Sequence, residues 1–157
     1  MHEVFDRAYC FGISMMLEYA QPNLDLVAEA LGIDIETLDS LSSARISKYI
    51  VVLAQYLIML QYNSNLRSAR ASLLSKQLEH DANVFKMEGK FPKTATNDKQ
   101  RRSWLIENNE AFKVNWETYL QVDAEHVLLH GMSSSVDALI NALKKELSTR
   151  GTSEVVR

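Results

Sequence analysis

Four histidines, His2, His80, His126 and His130, are the first residues to test for chemistry. His126 and His130 are four apart beside Glu125, so on a helix the two imidazoles face one way. The sequence between them is Val127-Leu128-Leu129, without the Glu of a His-Glu-x-x-His zinc helix, and no third ligand is evident. A polar flank or an interhelical hydrogen bond is the plainer reading. Asp123, Glu125 and Asp137 can be set against Glu110 or Glu117 as bundle carboxylates, yet the Glu-x-x-His repeat of di-iron bundles does not occur twice. Cys10 is the single cysteine, with no His at a catalytic spacing, and reads as a small core residue. Glycine-rich phosphate loops and Gly-x-Ser-x-Gly are absent. The chain reads as non-enzymatic, with no cofactor and no metal.

Basic residues form the second constellation. Arg67 and Arg70 stand at i, i+3, and Lys76, Lys86, Lys90, Lys93, Lys99, Arg101 and Arg102 continue the run, with Phe91 inside it and Trp104 beside it. Cations that track phosphates and rings on which bases stack are the ingredients of sequence-tolerant single-strand binding. The plainer alternatives are a packing role for Trp104 and a solvated loop for the lysines. One subunit with this many bases would bind weakly at physiological salt, and a ring would add avidity. The net charge of −3 hides the segregation: residues 1–39 carry −7, residues 40–102 carry +7 and residues 103–157 carry −3. Such a distribution suits a polyanion-binding face, or subunits that pair acidic with basic surfaces.

The elements that must position these residues are helical. Phe5–Tyr19 is weakly amphipathic and ends at Gln21-Pro22-Asn23. Asp25–Leu31 is a short helix closed by Gly32, expected in the left-handed conformation, and Asp34–Leu41 is a second short turn. Ser42 or Ser43 caps a long helix, because no Gly or Pro follows until Gly89. Ile46, Tyr49, Ile50, Leu53, Leu57 and Leu60 make a helical stripe, flanked by Val51, Val52, Tyr56, Ile58 and Met59. Lys86–Arg102, with Gly89 and Pro92, reads as a polar, mobile loop of charge +4. Asn97 or Asp98 caps a last helix running to about Arg150, with Gly131 and Ser133-Ser134-Ser135 as a candidate kink.

The expected architecture is all-α: residues 1–41 as an acidic helical head, 42–150 as a long antiparallel helical hairpin with its loop at about 87–97, and 151–157 as a tail. A hairpin of two such helices plus the small head cannot by itself cover the nearly circumferential apolar surface of Tyr49–Leu60. Tyr49, Ile50, Leu53, Tyr56, Leu57 and Leu60 are therefore expected at a homo-oligomer interface. The alternative is that the N-terminal helix folds over this surface and completes a monomeric bundle. Composition is that of a globular domain, with 46% hydrophobic and 24% charged residues. Seven Gly and Pro residues are too few for a β-sandwich. The longest apolar runs are interrupted by Ala54 and Gln55, and the start lacks the pattern of a signal peptide. A cytoplasmic protein without membrane contact is expected.

The order of parts resembles the UvsY-like family of phage recombination mediators. The resemblance covers about residues 45–150. It rests on Ser47-Lys48-Tyr49 leading the apolar helix, on Asn65-Leu66-Arg67-Ser68-Ala69-Arg70, and on Phe85-Lys86-Met87-Glu88-Gly89-Lys90. It continues in Glu125–Met132 and Val136–Leu147 of the closing helix. The resemblance implies a small helical ring that binds single-stranded DNA and loads a RecA-like recombinase onto strands coated with single-strand-binding protein. The family's basic–aromatic segment falls on Phe85, Lys86 and Lys90, with Arg67 and Arg70 upstream. This chain carries fewer bases there and lacks paired tyrosines. Its acidic head would serve as a docking arm for a partner protein or a neighbouring subunit. The rival expectation is a structural helical oligomer, a virion assembly or scaffolding component, without nucleic-acid contact.

Overall fold

A computed structural model of the chain describes residues 22–155, and the expected Phe5–Tyr19 helix, His2 and Cys10 lie outside them. Among the described residues the protein is all-α, without strands. The elements are α1 (Leu24–Leu31), a 3-10 turn (Ile35–Ser40), α2 (Ser43–Met87), α3 (Asp98–Asn108) and α4 (Glu110–Val155). Contacts divide the described residues into two units, one of residues 22–63 and 129–155, the other of residues 64–128.

In the first unit, Asn23 caps α1 by accepting the Leu26 N–H at 3.1 Å. Gly32 closes that helix at φ −86°, ψ 3°, donating to the Ala28 and Glu29 carbonyls. It is not left-handed as expected, because these bonds tighten the last turn without a reversal. Ser42 caps α2, its hydroxyl accepting the Arg45 N–H at 3.3 Å. From there α2 buries Ile46, Tyr49, Leu53 and Leu60, and α4 answers with Val136, Ile140 and Leu143; Ala30 and Leu38 complete the core. Arg150 pins the 3-10 turn to α4, donating to the carbonyls of Leu38 and Leu41 while pairing with Glu146. These contacts join the start of α2 to the end of α4, so the two run antiparallel.

This core corrects the assigned oligomer interface. Tyr49, Leu53 and Leu60 are at most 3% exposed, and Ile50, Tyr56 and Leu57 pack against them. Ala30 and Leu38 of the head and Val136, Ile140 and Leu143 of α4 close over these residues, so head and hairpin cover more of α2 than expected. In this unit α2 leaves the large apolar side chains of Val51 and Ile58 exposed, at 59% and 50%. It is also the one helix among the described residues with the length and composition of a membrane span. Its most apolar 18-residue window has a mean hydropathy of 1.3, and 28% of that window is buried. Ala54 and Gln55 interrupt the apolar runs without lowering that average below the range of a span.

In the second unit, the rest of α2, α3 and the first part of α4 enclose Leu78, Leu105 and Phe112. Ser64 meets His126 and Leu78 clusters with Phe112, so α2 and α4 run antiparallel here as well. The expected single closing helix is divided at Asn109, whose backbone is extended at φ −135°, ψ 101°. Its N–H bonds the Leu105 carbonyl at 2.8 Å while its own Oδ1 accepts the Phe112 N–H at 3.0 Å. Asn109 thus ends α3 and caps α4, the competition with the helical backbone that short amide side chains favour. No kink of that kind occurs at Gly131. The hydroxyls of Ser133, Ser134 and Ser135 donate to the carbonyls of Leu129, His130 and Gly131, one turn back, and α4 continues to Val155.

Candidate nucleic-acid interface

The expected mobile loop is a built turn. The Gly89 N–H bonds the Lys86 carbonyl and the Lys90 N–H bonds the Phe85 carbonyl, both at 3.2 Å, with Gly89 at φ +65°. That is a Schellman closure of α2, and it requires a residue that accepts positive φ. Ala95 is buried and its N–H bonds the Pro92 carbonyl. Asn97 and Gln100 form a capping box at the start of α3, and Gln100 Oε1 also accepts the Thr96 hydroxyl at 2.9 Å. The chain between α2 and α3 is therefore fixed by its own backbone bonds.

Three rings meet on this turn. Phe91 lies 6.3 Å from Phe85 and 5.6 Å from Trp104, the latter edge-on at 73°. Trp116 and Tyr119 form a second pair, 5.5 Å apart, in the same unit. Cations lie against these rings: Lys90 over Phe85 at 5.3 Å, Arg101 over Phe91 at 6.0 Å and Arg102 over Trp116 at 4.8 Å. Trp104 is thus a packing residue whose ring stays partly exposed.

The bases named from sequence fall into two groups. Lys86, Lys90, Lys93, Lys99, Arg101 and Arg102 cluster with Phe91 around the turn. Lys90 also pairs with Glu88 at 2.8 Å, and Arg101 with Asp98 at 3.0 Å. Lys86, Lys93 and Lys99 are exposed and make no ion pair among the described residues. Arg67, Arg70 and Lys76 stand back along α2; Lys76 is ~15 Å of helix axis from Lys86. Arg67 and Lys76, nine residues apart, point to opposite sides of the helix, so this group forms no single stripe. Arg67 is further occupied by Glu125, its Nε 2.8 Å from Oε2.

A groove of about 330 Å³ opens beside the rings. Pro92, Thr94 and Ala95 line one side, and Lys99, Ser103, Trp104 and Glu107 of α3 the other, with Gln100 between. Ser103 and Glu107 are absent from the sequence expectations. The signal for them is the i, i+4, i+8 spacing from Lys99, which acquires meaning only once Asn97 fixes where α3 begins. The Arg102–Trp116 stack, fourteen residues apart, has no sequence signal at all.

Three of the other candidates, Glu125, His126 and Asp137, make structural contacts. His126 Nδ1 lies 3.1 Å from the Ser64 hydroxyl and 3.0 Å from its carbonyl, an interhelical link that satisfies a buried serine. Among the described residues no group of three or more His, Cys, Asp or Glu side chains is placed to hold a metal ion. Glu125 accepts from Arg67 and from Gln121, and Asp137 from Asn141, so neither is paired with another carboxylate.

In the first unit, a cavity of about 350 Å³ is lined by Glu29, Arg45, Lys48 and Tyr49. The Tyr49 hydroxyl donates to Glu29 Oε1 at 2.8 Å, and the Arg45 guanidinium donates to both. The Tyr49 hydrogen bond, then the Arg45 bond, hold the Glu29 carboxyl below its ordinary value of 4.5, and Arg45 is raised by its own bonds to Tyr49 and then Glu29. The groups in this triad neutralise one another, leaving Lys48 as the one unmatched charge at the cavity. No family model, no curated protein and no solved structure matches the chain.

Proposed function

We propose that the chain is a non-enzymatic single-stranded-DNA-binding protein, and that the turn between α2 and α3 is its contact surface. The observation that carries this reading is the Phe85–Phe91–Trp104 ring cluster, bordered by Lys86, Lys93 and Lys99 without ion-pair partners. Rings held by packing offer a stacking platform at little entropic cost, and free lysines follow the phosphates. The wider role, a recombination mediator that helps load a RecA-like recombinase past single-strand-binding protein in the cytoplasm, rests on the resemblance to UvsY-like mediators. In that role several copies gather one strand, and ATP hydrolysis belongs to the recombinase. The exposed Val51 and Ile58 are the surface through which copies would associate.

Anisotropy of a labelled 20-residue thymidine oligonucleotide over a range of salt tests the reading. Affinity falls steeply with salt. The K86A/K93A/K99A variant lowers the slope of log K against log salt by ~2, since each lost phosphate contact removes ~0.7. Absence of binding at ~50 mM salt by the intact protein overturns it. The rival, a structural helical oligomer, is favoured by Val127 and Leu128, apolar residues 63% and 65% exposed on α4. Assembly without DNA binding is its signature. Stimulation of a RecA-like ATPase on protein-coated single strands separates a mediator from a plain DNA binder.

A further inference from the structure

We propose that the groove beside Trp104 takes one unstacked base of the bound strand and prefers guanine, an inference that rests on the single-strand-binding reading above. The groove measures about 330 Å³ and is walled on one side by the Pro92–Ala95 turn, on the other by α3. Trp104 lines it and is held edge-on by Phe91 at 5.6 Å, so the indole is positioned before any ligand arrives. Base–aromatic stacking needs such a ring, and every base can use it. The remaining walls add discrimination. Lys99 and Glu107 stand two turns apart, ~12 Å along α3, with Ser103 between them. The ammonium at one end suits a phosphate, and the carboxylate at the other suits a base edge.

Glu107 is exposed and makes no ion pair among the described residues, and Lys99, the one basic residue that lines the groove with it, stands two turns away. On a surface that only gathers phosphates, a carboxylate next to the stacking ring opposes binding. It favours binding only where the ligand presents donors to it. A carboxylate is acceptor-only, with two oxygens side by side. Guanine presents N1–H and N2–H as adjacent donors, which match both oxygens. Adenine and cytosine each place a ring-nitrogen acceptor beside their single amino group. Thymine has one N–H between two carbonyls. Guanine is therefore the base this groove selects.

The test uses the full chain and a competition format: labelled (dT)20 displaced by unlabelled (dT)20 or by (TTTG)5, whose isolated guanines form no quadruplex. The guanine oligonucleotide competes ~10-fold better, the discrimination a bidentate carboxylate contact supplies. Glu107→Gln, which replaces one acceptor oxygen by a donor, brings the two competitors within ~2-fold of each other. Trp104→Phe keeps part of the preference and Trp104→Ala abolishes it, with circular dichroism confirming the helical fold of each variant. Equal competition by the two oligonucleotides overturns this inference while leaving single-strand binding in place. A guanine preference that survives Glu107→Gln overturns it too. No binding of (dT)20 overturns the underlying reading, and the groove's role with it.

Discussion

Arg67 Nε lies 2.8 Å from Glu125 Oε2, so the first base of the basic stretch is neutralised by the helix folded back beside it. This pair stands for the whole unit. Residues 64–128 hold ten basic and nine acidic side chains, a net of +1, although residues 40–102 alone carry +7. In the antiparallel pair one acid of α4, Glu125, meets one base of α2, Arg67, whereas Lys86, Lys93 and Lys99 around the turn make no ion pair among the described residues. If the protein binds DNA as proposed, this pairing limits the affinity.

Releasing that pairing tests the point. Glu125→Gln frees Arg67 and raises affinity for (dT)20 about 2- to 5-fold at low salt, with a steeper salt dependence. Both partners are about one-third exposed, so the stability cost stays below ~1 kcal/mol. Anisotropy and thermal melting of the same preparation check both halves. Unchanged affinity would mean that Arg67 lies off the DNA path.

Glu29 gives the fold a pH dependence. Its carboxyl titrates below the ordinary value of 4.5, chiefly through the Tyr49 hydroxyl and then Arg45. A depressed folded-state pKa contributes stability that is present above the unfolded value and lost as pH falls through the folded one. Glu29→Gln therefore melts below the wild type at pH 7, and the gap narrows below pH 4.5 and closes in stronger acid. Melting curves of the two proteins across that range show it. A gap that stays constant would mean the triad is packing alone.

The helical class was legible because spacing speaks directly. Ile46, Tyr49, Leu53 and Leu60 recur at 3, 4 and 7, and Gly89 followed by Pro92 must end a helix. What covers a helix is not written in its own residues. Tyr49 looked available to a second copy because Glu29, Ala30 and Ile140 are 20, 19 and 91 positions away. Composition hides the turn for a similar reason. Lys-rich composition suggests a loose loop, yet the bonds that fix it run from backbone to backbone and from the Thr96 N–H to the Gln100 side-chain oxygen. Asn109 was missed because the sequence Glu-Asn-Asn-Glu interrupts no apolar period. The division there depends on a side chain bonding its own backbone.

Moving the association surface from Tyr49 to Val51 has distinguishable consequences. Leu53→Ala removes a side chain with no exposure and destabilises by about 2–5 kcal/mol. Val51→Ser and Ile58→Ser, at positions half-exposed or more, change stability by less than about 0.5 kcal/mol each. If copies associate here, the double variant lowers the mass in light scattering at unchanged helicity. A mass equal to the wild type's, whatever its value, would remove Val51 and Ile58 from any interface.

Asn109 decides whether α3 and α4 are two helices or one. Asn109→Ala deletes the acceptor for the Phe112 N–H and costs about 1 kcal/mol, as lost caps do. Alanine also favours the helical backbone that the extended Asn109 avoids, so the variant biases the chain toward a continuous helix. Continuity would move Leu105 and Phe112 relative to Leu78, the core on which Trp104 and Phe91 rest. Loss of stability is therefore accompanied by a shift in tryptophan emission and by weaker (dT)20 binding. Asn109→Asp keeps a carbonyl-type acceptor at the cap and stays within about 0.5 kcal/mol of the wild type. Urea melts of both variants, followed by fluorescence, separate the cap from the amide itself. Equal stability of Asn109→Ala and wild type would show that the break is held by the core rather than by the cap.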